Sequence, residues 1–331
     1  MKSLADLLSD PAPILALAPM QDVTDLPFWR LIAAYGGADL YFTEYFRVTS
    51  GYRPERKILR SILENPTGQP AIAQLIGNDP PWMARTAAEL ARHPVAGIDL
   101  NLGCPAPVVY RKCAGGGLLR DPARIDSLLA TLRGAISIPF TVKTRLGFSD
   151  PSEFENLIPI FAKHQLNLLT VHGRTVADRY GPRVHYQPIA DAVRRLPFPI
   201  LANGNVSSAA SAKRILAETG ARGLMIGRAA VRNPWLFGQI RDDLAGRPVG
   251  IPTGHDVLKY IHQLYEAVCS PGVPEASQVQ KMKKYMNFIG EGINPEFVHD
   301  GRRTTSQSGL FALCAAHLDH DRPIPGFGAD T

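Results

Sequence analysis

The sequence predicts an α/β fold, a (β/α)8 TIM barrel followed by a small C-terminal helical domain. Three observations predict it: eight short apolar runs at wide and fairly even spacing, helix-compatible stretches in the gaps, and a Gly/Pro-rich break near residue 244 with further helix-like runs beyond it. The chain has 331 residues, 45% hydrophobic, 20% charged and 8% aromatic. That length suits two domains, or one barrel of roughly 250 residues with an appendage. It is enough chain to bury a large core without disulfides or metals.

The apolar runs are ILALAPM (14–20), ADLYFTEYF (38–46), PAIAQLIG (70–77), VAGIDLNLG (95–103), IPFTVKTRLG (138–147), LNLLTVHG (166–173), FPILANG (198–204) and ARGLMIG (221–227). Near-continuous apolar runs are expected of parallel strands buried on both faces. TDLPFWRLIAAYG (24–36) has a Thr/Asp start and a Gly stop. Both 79–93 and 121–135 open on Asp-Pro, a helix N-terminus signature, and 207–220 opens on Ser and stops at Gly. A doubly wound open sheet is the structural alternative. It usually has fewer strands, and no GxGxxG follows the first run.

The catalytic barrel is expected over 1–243, a linker over 244–254 and a helical domain over 255–331. Beyond the linker lie helix-like runs at 255–269 and 275–290. In the second, Val279, Met282, Met286 and Ile289 share one helical face, with Lys281 and Lys284 on a neighbouring face and Lys283 nearby. The Pro/Gly-rich tail from about 320 is expected to be loose.

Mean hydropathy is −0.06 and no apolar run reaches ~18 residues, so a membrane-spanning helix is not expected. The opening MKSLADLLSDPAP has no apolar signal-peptide core. Four cysteines at 104, 113, 269 and 314 contain no CxxC pair, which argues against a disulfide framework and against structural zinc. A cytoplasmic protein with free thiols and no metal is expected. The net charge of +6 permits a polyanionic partner. Residues 255–331 hold 7 Lys/Arg against 9 Asp/Glu, so the excess lies wholly in 1–254, with 29 against 21. Any electrostatic footprint is therefore made of local patches.

In a barrel of this kind, chemistry sits at the C-terminal ends of the strands. The residues closing the runs are Pro19 and Met20, Gln74, Asn101 with Cys104, Lys143 with Arg145, His172 with Arg174, Asn203-Gly204-Asn205, and Gly227 with Arg228. Burying such polar groups unpaired costs on the order of 1–3 kcal/mol each, and a ligand that satisfies them explains their presence.

Together, APMQDVTD (18–25), AQLIG (73–77), DLNLGCP (99–105), VKTRLG (142–147), VHGRT (171–175), ANGNV (202–206) and MIGRAA (225–230) resemble, in order and spacing, the motifs of bacterial tRNA-dihydrouridine synthases. The resemblance covers about 14–235. FTEYFRV (42–48) and VQKMKKYMNFI (279–289) look closest to the branch acting at position 16 of the D-loop. The resemblance implies an FMN-binding barrel, a helical domain that helps to hold tRNA, and NADPH as reductant. It implies a reaction in which the C5–C6 double bond of a uridine is reduced, with hydride from FMN to C6 and a proton from a cysteine to C5.

Residue by residue, the resemblance makes Cys104 the proton donor, although a lone cysteine is otherwise read as a small buried hydrophobe. Lys143 matches a flavin-facing lysine that stabilises the anionic reduced ring; its bland reading is a strand-end surface lysine. Gln74 would hydrogen-bond the ring, His172 would lie close to it, and Pro19, Met20 and Gln21 would wall it. Asn203, Gly204, Asn205, Gly227 and Arg228 fit phosphate contacts after the last two runs. The family usually has an acid where Asn205 stands, so a backbone role is expected there. Asn101 fits a residue that holds the target uracil. Arg145 and Arg174 are candidates for substrate or tRNA contact, with flavin phosphate open for Arg174. Cys113 is read as incidental, and Cys269 and Cys314 as core.

Flipping a stacked uridine costs a few kcal/mol, which contacts to the phosphate backbone would offset. Candidate patches are Arg47, Arg53, Arg56, Lys57 and Arg60 after the second run, Arg179 and Arg183 after the sixth, and Lys281, Lys283 and Lys284; their bland reading is solvated charge. A monomer is expected. Two rivals stay open: a flavin barrel acting on a small pyrimidine, as dihydroorotate dehydrogenases do, and a tRNA-binding protein without chemistry. The first needs no helical extension. The intact Cys104, Lys143 and His172 argue against the second.

Overall fold

A computed structural model describes residues 3–328. Nine parallel strands form one sheet: β1 (Ile14–Leu17), β2 (Leu40–Phe42), β3 (Phe46–Arg47), β4 (Ala71–Ile76), β5 (Gly97–Leu102), β6 (Phe140–Arg145), β7 (Leu168–His172), β8 (Ile200–Asn203) and β9 (Gly223–Ile226). Pairing of β1 with β9 and of β2 with β4 closes eight of them into a barrel. The ninth, β3, is a finding beyond the eight runs. The second run splits because Phe42 pairs with Ile72 but Phe46 with Leu75, so one extra residue is accommodated between β2 and β3. Such an extra residue breaks the ladder locally.

The Asp-Pro signatures cap helices as predicted. Asp79 accepts from Trp82 N–H (3.2 Å) ahead of the helix Pro80–Leu90, and Asp121 accepts from Arg124 N–H (3.0 Å) ahead of Pro122–Ala135. At the start of the barrel, Leu4 and Leu7 join Ile14, Ala16, Leu40, Phe42, Ile72, Leu168, Leu201 and Met225 in one apolar cluster. The short helix Leu4–Ser9 thus plugs the N-terminal end. Arg222 fastens it through the carbonyls of Leu7 (2.9 Å) and Ala12 (2.6 Å). With that end sealed by apolar side chains, polar groups on the strands have only the other end to occupy.

By internal contacts the chain divides into two compact units. The first holds 1–21, 39–205 and 214–226, and with them every strand. The second holds 22–38, 206–213 and 227–331, so the division is not linear in sequence. The reason is local: Tyr285 Oη donates to Val23 O (2.9 Å), and Arg241 donates to Gly36 O and Gly37 O (2.8 Å each). The segment 244–254 also lies within this unit, where Gln239 Nε2 donates to Gly250 O (2.8 Å).

Val279, Met282, Met286 and Ile289 are buried along the helix Glu275–Gly290. Two further helices, Pro295–Gly301 and Gln307–Leu318, were not read from the sequence. The expectation of a loose tail is corrected as far as residue 328. Phe327 is buried, and its carbonyl accepts from Asn233 Nδ2 (2.8 Å) and Gln239 Nε2 (2.9 Å). An apolar ring and a doubly bonded carbonyl outweigh the Pro/Gly composition. Residues 329–331 lie outside the described residues. No helix among the described residues is long and apolar enough to cross a membrane.

Candidate active site

Strand register sets the site. Gln74, Asp99 and Thr141 are partners across β4, β5 and β6. Two residues further along, on the same faces, Asn101 pairs with Lys143. Two further still, Arg145, His172, Asn203 and Met225 run across β6 to β9. Six of the residues singled out in the sequence, Gln74, Asn101, Lys143, Arg145, His172 and Asn203, therefore fall on adjacent rungs at one end of the barrel.

The lowest rung is a closed polar network. Gln74 Nε2 donates to Asp99 Oδ2 (2.8 Å), and Thr141 Oγ1 donates to Asp99 Oδ1 (2.6 Å). Asn101 Nδ2 donates to Gln74 Oε1 (2.8 Å). Asn101 Oδ1 in turn accepts from the backbone N–H groups of Gly103 and Cys104 (3.0 Å each). Asp99 is fully buried, and burial pushes its carboxyl up to about 6 against the opposing pull of Thr141, Gln74 and Lys143.

Lys143 Nζ donates to Asn203 Oδ1 (3.3 Å), and Asn203 Nδ2 donates to Met225 O (2.8 Å). Burial, helped by the charge of Arg145, pushes the Lys143 ammonium down to about 8, while Asp99 and Cys104 hold it up. Cys104 is partly buried, on the turn that follows β5. Burial raises its thiol above the ordinary value, against the pull of the Ala106 N–H and of Lys143, Arg145 and Arg47. The thiol thus stays protonated near neutral pH, as a general acid must. Gly116 N–H donates to Cys104 O (3.2 Å), so the GGG run packs against the cysteine turn.

Arg145 and Arg174, expected as substrate or tRNA contacts, are placed otherwise. Arg145 is 2% exposed and donates to the carbonyls of Gly103 (2.9 Å), Thr175 (2.7 Å) and Arg179 (2.8 Å). Arg174 is 1% exposed and donates to Gly181 O (2.7 Å) and Asn205 Oδ1 (2.8 Å). Both guanidinium groups hold the loop after β7. Arg174 Nη1 also meets His172 Nε2 at 3.0 Å. A guanidinium only donates, so in this contact the imidazole nitrogen stands as the acceptor.

The side chain of Asn205 is occupied, by Arg174 and by Pro182 O (2.9 Å). Gly204 and Asn205 have φ of +124° and +48°, and Tyr186 Oη anchors the turn at Gly204 O (2.9 Å). Among the described residues, the N–H groups of Gly204 and Asn205 donate to no protein acceptor. Such a turn is a natural anion cradle. Pro19 and Met20, which are half-buried, and Gln21, which is exposed, follow β1; Gly227 and Arg228 follow β9 and open the helix Arg228–Arg232 of the second unit.

The lysines of the helix Glu275–Gly290 are largely engaged. Lys281 Nζ donates to Val268 O (2.7 Å) and lies 3.8 Å from Asp25, and Lys284 lies 3.8 Å from Asp22. The expected basic patch is thereby partly neutralised. Arg53, Arg56, Lys57, Arg60, Arg179 and Arg183 are exposed, with Lys57 near Glu44 (3.7 Å) and Arg60 on Glu64 (2.7 Å). Cys269 and Cys314 are buried and Cys113 is exposed.

Sequence reasoning missed Asp99, Thr141 and Tyr186. Asp99 was legible in principle: an acid two residues before Asn101 on a buried strand must face the same side, and a buried carboxylate needs partners.

Fold and site define a (β/α)8-barrel enzyme whose open end sets amide and ammonium donors beneath a protonated thiol. Dihydrouridine synthase (Dus) is the family whose profile matches residues 16–305. The chain is 37% identical over 242 residues to the tRNA-dihydrouridine(16) synthase of Cupriavidus necator, covering 71% of this chain and 75% of that one. It is 33% identical to the tRNA-dihydrouridine(16) synthase of Neisseria meningitidis serogroup A (84% and 86% covered), and 35% identical to tRNA-dihydrouridine synthase B of Pseudomonas aeruginosa (68% of each). Among solved structures, histamine dehydrogenase from Rhizobium sp. 4-9 superposes with a TM-score of 0.54 at 14% identity. That match covers 78% of this chain, which spans about half the length of the dehydrogenase, and it supports the fold alone. The chain belongs to the dihydrouridine synthase family, flavin-dependent oxidoreductases that act on the C=C bond of uridine in tRNA.

Proposed function

We propose that this protein is an FMN- and NADPH-dependent synthase, monomeric and cytoplasmic, that reduces a D-loop uridine at position 16. Two of the relatives above carry that position in their names, and one is named differently. The donor set suits a flavin. An isoalloxazine edge is rich in acceptors, and Gln74 on β4 and Lys143 on β6 offer donors to it from either side of β5, with His172 one rung above Lys143. The anion cradle at 204–205 suits a phosphate. The resemblance adds Pro19, Met20, Gln21, Gly227 and Arg228 as further contacts.

An FMN held by Gln74, Lys143 and the 204–205 turn would supply, once reduced by NADPH, the hydride for C6 of the uracil. This chain's residues do the rest. Cys104 delivers its Sγ proton to C5, and solvent restores it. Asn101, with its oxygen filled by two backbone N–H groups, has one N–H left to orient the uracil. Lys143, still charged below pH 8, balances negative charge that accumulates on the ring. Exposed arginines and lysines at 53–60 and at 179–183 are the tRNA grip, with Lys281, Lys283 and Lys284 in a lesser part.

The observation that carries this reading is Cys104: a thiol kept protonated by burial, on a turn whose N–H is bonded to the strand residue Asn101. The test is to map dihydrouridine in unmodified tRNA after incubation with enzyme and NADPH. General acid catalysis supplies typically ~10²–10⁴-fold, so Cys104→Ala is expected to lose activity on that order while keeping its flavin. If Cys104→Ala matched the parent rate, the proton-donor assignment would fail. If free uracil compounds were reduced and tRNA were not, the substrate assignment would fail.

A further inference from the structure

We propose that Asp99 is a positioning residue: it locks the Gln74 amide in the direction that the Asn101 amide, itself set by two backbone N–H groups, requires, so that each presents an N–H to the ligands. This rests on the flavin reading above. It adds a role for a residue whose side-chain partners are Gln74 and Thr141 and which the flavin reading does not use.

The argument is one of counting donors and acceptors. Asn101 Oδ1 is filled by the N–H groups of Gly103 and Cys104, so its Nδ2 must face Gln74. Gln74 must therefore turn Oε1 toward Asn101 and Nε2 toward Asp99. An ionised carboxylate only accepts, so Asp99 closes the chain at the far end with the one polarity that satisfies every member. Thr141 Oγ1 fills the other carboxylate oxygen and Gln74 N–H is held by Thr43 Oγ1 (3.1 Å), so neither strand neighbour competes for the amide. What remains unspent is one N–H on Asn101 and one on Gln74. A protein that needed an acceptor under the flavin would require the opposite order.

Three variants separate this role from a structural one. Asp99→Asn can still accept from Gln74 while donating to the Thr141 hydroxyl, so the amide direction survives. Asp99→Leu removes the acceptor. The double variant Gln74→Glu/Asp99→Asn keeps a bond between positions 74 and 99 and the bond to Asn101, but leaves position 74 with no N–H to offer. FMN affinity is read from the release of free-flavin fluorescence by the loaded enzyme, stability from urea unfolding, and kcat and KM from dihydrouridine formation in tRNA.

Asp99→Asn is expected within about threefold of the parent in FMN affinity and kcat. Asp99→Leu is expected to bind FMN at least tenfold more weakly, the loss of roughly one hydrogen bond, and to lower kcat with little change in KM for tRNA. The double variant is expected to match the stability of Asp99→Asn yet show the same tenfold loss of FMN affinity. If Asp99→Leu fails to fold, the double variant decides. Parent-like FMN affinity in Asp99→Leu or in the double variant overturns the proposal, as does an Asp99→Asn as weak as Asp99→Leu, which would point to charge rather than direction. A parent protein that binds no FMN overturns the flavin reading itself, a separate outcome.

Discussion

Gly115→Ala tests whether the acid is held in place by packing. Gly115 has φ of +53°, and a Cβ there would stand 2.8 Å from Ile76 Cδ1, 3.0 Å from Cys104 Cβ and 3.1 Å from Val109 Cγ1. The left-handed backbone costs an L-residue about 1–2 kcal/mol. Overpacking a filled site adds about 1–3 kcal/mol, and the stiffer unfolded chain returns about 0.4–1. The net destabilisation is about 1–5 kcal/mol, below the 5–15 kcal/mol of typical native stability, so the fold survives. Ile76 and Val109 meet the new methyl with side-chain tips and yield. Cys104 meets it with its Cβ, one bond from the backbone, so its turn must move.

Misplacement by about 1 Å can cost ~10²-fold in rate, so a shift of a few tenths of an ångström is expected to cost about tenfold. The assay pairs urea-unfolding midpoints with initial rates of dihydrouridine formation at saturating tRNA. Gly134→Ala is the control. It lies in the helix Pro122–Ala135 with nothing within 4 Å of the added methyl, so it is expected to be neutral or to stabilise by up to about 1 kcal/mol. A Gly115→Ala protein with parental midpoint and parental rate would refute the packing argument.

Two further expectations follow from electrostatics. The ammonium of Lys143 titrates near 8 in the folded protein and near 10.5 when exposed, so between those values the unfolded chain binds the extra proton and stability from this residue rises with pH. The advantage of Lys143→Met over the parent should therefore shrink from pH 8 to 10.5, by at most about 3 kcal/mol; a difference flat with pH contradicts the reading. Arg53 and Arg56 are exposed with no ion-pair partner among the described residues, so Arg53→Ala/Arg56→Ala should lower the slope of log Kd for tRNA against log salt by about 2. An unchanged slope would remove them from the interface.

The barrel was legible because its strands are buried on both faces and its helices carry their caps in sequence. Ile14–Leu17, Ala71–Ile76 and Gly97–Leu102 are buried throughout, and Asp79 and Asp121 cap where Asp-Pro announced them. The helix Gln307–Leu318 was not legible, since FALCAAHL spreads small apolar residues around it and leaves no stripe to read, and Pro295–Gly301 is too short to show a period. Polar residues ending a run were legible as site residues. Their partners were not: Arg145 and Arg174 look identical in sequence whether they reach for a phosphate or for the carbonyls of residues 103 and 175–181, and only tertiary structure chooses. The same applies to Lys281 and Lys284, whose charges are spent on Asp25 and Asp22.

The arrangement of these contacts bears on rigidity. Lys143 reaches Asn203 across β7 and His172 meets Arg174 in the loop after β7, while Gln74, Asp99, Asn101 and Asn203 are each bonded to a residue on a neighbouring strand. Their geometry is thus as fixed as the sheet. Cys104 is the exception, standing on a turn, yet its N–H is tied to Asn101 and its carbonyl to Gly116. The Ala106 N–H also faces its thiol, so backbone and side chain are both held. Variants that loosen the turn should therefore lower the rate of dihydrouridine formation more than variants that leave the bonds to Asn101 and Gly116 intact, and equal rates in the two sets would contradict this.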